Sequence, residues 1–218
     1  MIRPFFLSVA ALIPVCCLAN TDDNSKVMGS IHIAAGQHTG DATTVNGSIE
    51  VGANAVVTRA NTVNGSITLH DHATAGSAVT VNGSVTLEPD VHVSGEISLV
   101  NGHILLQKGA DIGGHVSNVN GGIQVIGAHV AGGLETTTGD IEVGAQSHVE
   151  GGILVNKSEE SWFSFGRPKV PRIVIGPGAV VKGPLRFERE VKLYVSDRAT
   201  IGTVQGATPI KFTGDRPP

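Results

Sequence analysis

Apolar and polar residues alternate in short stretches along the chain, and the stretches recur with a fixed period. Asn46-Gly47, Asn64-Gly65, Asn82-Gly83, Asn101-Gly102 and Asn120-Gly121 follow one another at intervals of 18, 18, 19 and 19 residues. Val27 to Ile31 precede them in register, and Thr137 to Ile141 follow. Alternation with period two marks a strand with one buried face. A repeat this short means a stack of similar units rather than a globule around a unique core.

Aligned on the glycine, the repeats show five apolar columns. One holds Ile49, Ile67, Val85, Ile104, Ile123 and Ile141, and the next holds Val51, Leu69, Leu87, Leu106, Val125 and Val143. Val45, Val63, Val81, Val100 and Val119 stand before the asparagines. A fourth holds Val57, Ala75, Val93, Ile112, Val130 and Val149, and a fifth Val79, Ile97, Val116, Leu134 and Ile153. Three alternating segments per repeat, separated by Gly-containing corners, predict an all-β fold: a three-sided parallel β-helix, or β-solenoid. The drift between 18 and 19 residues favours a right-handed coil. Seven rungs before residue 157 and two degenerate ones after it give a rod of roughly 40 Å. The Asn-Gly pairs read as corners where Gly and Asn tolerate positive φ. Stacked asparagines there would form a ladder.

Residues 1–19 read as a secretory signal peptide, with Arg3, an apolar run and the cleavage-like Cys17-Leu18-Ala19. The expectation is an exported protein, periplasmic or extracellular, with no transmembrane segment in the mature chain. Both cysteines, Cys16 and Cys17, fall in this segment. Val15 precedes Cys16 where a lipoprotein signal has a small residue, which disfavours anchoring through either thiol.

Charge divides the rest. Residues 20–156 hold three basic and thirteen acidic residues, a net −10; residues 157–218 hold eleven basic and six acidic, a net +5. Regular rungs therefore span 20–156, a Pro- and aromatic-rich loop 157–171, and degenerate rungs with a C-terminal cap 172–218. An exported, net acidic chain disfavours nucleic acid as partner. An acidic rod with a basic end would stack head to tail.

The segments Ile141 to Ala145 and Ile173 to Gly183 resemble bactofilins, polymer-forming bacterial β-helix proteins. The Thr-Val-Asn-Gly-Ser-Ile units resemble the β-solenoid repeats of bacterial adhesin families. The resemblance covers about residues 27–205. It implies a β-solenoid that assembles end to end without nucleotide. Bactofilins are typically cytoplasmic, so the leader here points instead to a periplasmic or surface scaffold.

Candidate chemistry is sparse. Polysaccharide lyases and hydrolases need clustered carboxylates on an outward face. Here the acids are scattered, although Asp140 and Glu142 share one face of a strand. The expectation is a non-enzymatic envelope scaffold or adhesin-like protein without cofactor or catalytic residues. The other-class alternative is a polysaccharide-binding or polysaccharide-degrading β-helix. One outward column carries His92, Asp111, His129 and His148 on successive rungs, residue types that ligate Zn²⁺ or Cu²⁺. Thr44, Thr62 and Thr80 read as an outward threonine row. Trp162, Phe163 and Phe165 are candidates for an interface with an envelope glycan or protein, or for sealing the open end of the rod.

Overall fold

The computed structural model describes residues 23–157 and 170–218. These form 24 strands and no helix, all paired in parallel, in a β-solenoid of about 10 turns. Among the described residues, no helix is long and apolar enough to cross a membrane. Residues 1–19, expected to be a signal segment and containing Cys16 and Cys17, and Trp162, Phe163 and Phe165, lie outside the described residues.

Each turn has three sides. The side before each Asn-Gly corner starts with Asn24–Met28 and continues through the later parts of His38–Asn46, Val56–Asn64 and Thr74–Asn82. The side after that corner stacks Ile31–Ile33, Ile49–Val51, Ile67–Leu69 and Val85–Leu87, and reaches Ile210–Phe212 at the far end. The third side includes His92–Val93, Asp111–Ile112, His129–Val130 and His148–Val149. Asn46 pairs with Asn64, Asn64 with Asn82 and Asn101 with Asn120, so the sequence period is the turn of the coil. After the undescribed segment the register resumes, with Ile141 opposite Ile173 and Ile173 opposite Leu193.

The first, second and fourth apolar columns line the core as expected, every member buried. Side chains of the same size repeat each turn, so a narrow interior fills without aromatics until Phe187 and Phe212. A further buried column, Ala55, Ala73, Val91, Ala110 and Ala128, lies on the third side.

Three expectations need correction. Val45, Val63, Val81, Val100 and Val119 are not core; they stand 36–40% exposed along the corner. Thr44, Thr62 and Thr80 are not an outward row but are buried, and Leu99, Asn118 and Thr136 continue their column inward. Both changes have one cause. The chain turns at the Asn-Gly pair, so two consecutive residues, Val and Asn, point outward. Counting alternation back through that turn inverts the faces. The inward threonines tolerate burial because their hydroxyls donate to carbonyls one turn back: Thr44 to Gly29 at 3.1 Å, Thr62 to Gly47 at 2.9 Å and Thr80 to Gly65 at 3.0 Å. Third, Val79 does not share a column with Ile97. Ile97 pairs with Ala78, and Val79 pairs with Ser98 on the outer side. The shift arises because Ser94-Gly95-Glu96 carries one residue more than Thr58-Arg59 or Gly76-Ser77 at the same bend.

The corner glycines have a cause beyond the one expected. Gly83 (φ 156°), Gly102 (144°) and Gly121 (131°) have the expected positive φ, whereas Gly47 and Gly65 do not. A Cβ at Gly65 would strike the carbonyl oxygen of Gly47, and one at Gly83 that of Gly65, so the column exists because successive turns approach there. Residues other than glycine adopt left-handed backbone at the next corner: Asn54 (φ 57°), His72 (61°), Asp90 (57°) and Gln146 (58°).

Candidate functional site

A solenoid brings residues one period apart within side-chain reach, so outward columns become ladders. The asparagine ladder forms as expected. Asn64 Nδ2 donates to Asn46 Oδ1 at 2.9 Å, and the pattern repeats through Asn82, Asn101 and Asn120, where Thr138 takes the next place. From Asn64 to Asn120 each amide donates to one neighbour and accepts from the other, which locks register. The exposed valines run beside it, from Val27 to Val119.

The His92, Asp111, His129 and His148 column is also real, each residue directly opposite the next. Its contacts run between imidazole and carboxylate. Asp111 bridges two imidazoles, with Oδ2 3.0 Å from His92 Nδ1 and Oδ1 2.6 Å from His129 Nδ1. These contacts, His129 first, hold the Asp111 carboxyl below its usual range. His129 Nε2 lies 3.8 Å from Glu150, which pairs with Lys182 at 2.9 Å. His148 Nδ1 lies 3.2 Å from the Gln146 carbonyl oxygen instead. Carboxylates and imidazoles spaced by the rung stack satisfy one another along a line. Among the described residues, no group of three or more His, Cys, Asp or Glu is placed to hold a metal ion.

A second ladder was not foreseen. His32, Glu50, His70 and Glu88 alternate imidazole and carboxylate over the first four turns, ending in the turn where the His92 column begins. His32 Nδ1 lies 3.2 Å from Glu50 Oε2, His70 Nε2 2.8 Å from Glu50 Oε1, and His70 Nδ1 2.9 Å from Glu88 Oε2. Hydrogen bonds to Glu50 and then Glu88 raise the His70 pKa, and His70 followed by His32 lowers that of Glu50. Opposite charges at offsets of 18 and 20 residues were the available signal. Nearby, Arg59 and Asp41 form an ion pair one turn apart.

Asp140 and Glu142 do share one outward face. They line a surface cavity of about 490 Å³ together with His103, Gln124 and Arg172. The cavity opens on the side that follows the Asn-Gly corner. Arg172 is firmly placed: its backbone N–H donates to Asp140 at 2.9 Å, and its guanidinium sits 5.1 Å from the Tyr194 ring centroid. Scattered in sequence, these residues meet because the coil superposes their turns.

Compared with protein families, curated proteins and solved structures, the chain finds no match.

Proposed function

We propose that the chain is an exported, non-enzymatic rod that serves as a structural scaffold or adhesin-like element of a bacterial cell envelope and assembles end to end. The bactofilin-like and adhesin-like segments belong to this reading. The observation that carries it is one-sided pairing at both ends. Among the described residues, Asn24–Met28 pairs only toward His38–Asn46, and Thr200–Ile201 and Val204–Gln205 pair only toward the rod. Unpaired parallel edges invite strand addition. The first strand adds apolar surface, with Val27 71% and Met28 79% exposed. Pro209 and Lys211 guard the remaining side of the far end. An unlike pair of ends makes a heterologous contact that propagates rather than closes. The acidic rungs and basic last turns orient it, through a force that weakens with salt.

Sedimentation velocity across a salt and concentration series, with electron microscopy of large species, tests this. Filaments that shorten at high salt and disappear in Met28→Lys support the scaffold. A strict monomer at low salt and high concentration sinks it.

A further inference from the structure

Two outward columns flank the buried line Val85, Ile104, Ile123, Ile141 and Ile173. One runs Ser84, His103, Gly122, Asp140 and Arg172; the other runs Thr86, Leu105, Gln124, Glu142 and Val174. At Gly122 the first column loses its side chain between His103 and Asp140. The cavity of about 490 Å³ opens over this gap. Its size falls within the ~300–1,000 Å³ of small-molecule sites. A second cavity of about 350 Å³ continues it past Glu142, with Arg216 and Pro217 as a further wall. That wall is tied down where Arg172 Nη2 donates to the Pro218 carbonyl oxygen at 3.5 Å.

The polar groups are paired in kind. Asp140 and Glu142 accept, Arg172 and Arg216 donate, and Gln124 does both; its Nε2 donates to Glu142 at 3.2 Å. Two carboxylates against two guanidinium groups leave no net charge to select an ion. Alternating donors and acceptors match hydroxyl groups, each of which donates and accepts. Leu105, partly exposed, supplies apolar contact for the C–H face of a ring, with the 8% exposed Val174 at the floor. The turns repeat at ~4.8 Å, close to the length of one sugar ring in an extended chain.

We propose that this groove binds a neutral, extended oligosaccharide lying along the rod axis, one ring per turn from His103 to Arg172. The site is independent of end-to-end assembly and goes beyond the scaffold reading by naming a ligand class and its residues.

The test is titration of the chain with cellotetraose, chitotetraose and mannotetraose, followed by heteronuclear NMR and calorimetry, with tetragalacturonate as the charged comparison. The decisive variant is Gly122→Leu. Position 122 lies outside the left-handed region, and the nearest neighbours of a Cβ there are the His103 ring at 3.1 Å and the Asp140 carbonyl oxygen at 3.8 Å, so the fold should tolerate it. Binding of a neutral tetrasaccharide that perturbs Gly122 and Gln124, and weakens about tenfold or more in Gly122→Leu at unchanged melting temperature, is the expected result. Glu142→Ala, which keeps the backbone and the cavity, gives the same loss and serves if Gly122→Leu does not fold. No binding by any neutral probe overturns the proposal. Tighter binding of tetragalacturonate, or binding unaffected by both variants, does so equally.

Discussion

His70 Nε2 lies 2.8 Å from Glu50 Oε1 across one turn of the coil, while its other ring nitrogen reaches Glu88 at 2.9 Å. The imidazole is therefore held between two carboxylates, with His32 on the far side of Glu50. His70 has a raised pKa, so its contribution is complete below the unfolded value and is lost as pH rises through the folded one. Glu50 has a lowered pKa, so its contribution is present above the unfolded value and is lost as pH falls through the folded one. Both are satisfied between about pH 4.3 and 6.5. The melting temperature should plateau there and fall on either side. In His70→Asn the alkaline decline should flatten; an unchanged profile would mean that the ladder does not contribute.

Asn118 occupies the inward column of Thr80 and Leu99. Its Nδ2 donates to the Gly102 carbonyl at 2.9 Å, but its buried Oδ1 has no partner. Such an orphan costs about 1–3 kcal/mol. Asn118→Thr should recreate the hydroxyl-to-glycine bond of Thr62 and Thr80 and raise stability by that order. Urea unfolding at constant m-value checks it.

Gly102 sits where successive corners touch. An added Cβ would overlap the carbonyl oxygen of Gly83, and both neighbouring turns are fixed by hydrogen bonds. Gly102→Ala should therefore cost more than the ~0.5–3 kcal/mol of an ordinary substitution. Loss of the cooperative transition in circular dichroism is the expected readout.

His72 holds φ at 61° at an exposed corner, and among the described residues no hydrogen bond of its side chain is seen. His72→Gly removes the left-handed penalty, partly offset by the greater freedom of glycine in the unfolded chain. A gain of up to about 1 kcal/mol is expected, in contrast to Gly102→Ala. A loss would indicate that the ring supports the corner by packing.

Much of the architecture was legible without coordinates. The asparagine period fixes the length of a turn, and Ile67, Val85 and Ile104 reveal a buried strand face because alternation is a local property of extended backbone. The line from His92 to His148 was equally readable, since all its members lie one residue before a core position. The role of that line was not. Whether four side chains converge on one point or pair off along a row depends on rotamers and rung separation, and Asp111 settles it by dividing its two oxygens between His92 and His129.

The repeat, the strand character and the number of residues per turn were thus determined along the chain, where neighbours are covalent. Facing and partnership were decided only in three dimensions. A corner reverses the parity of Val45 and Thr44, one extra residue near Gly95 moves Ile97 from Val79 to Ala78, and His70 reaches back 20 residues to Glu50 rather than one period. Each depends on how one turn rests on the next, and that register is set by hydrogen bonding and packing between segments that the linear order keeps apart.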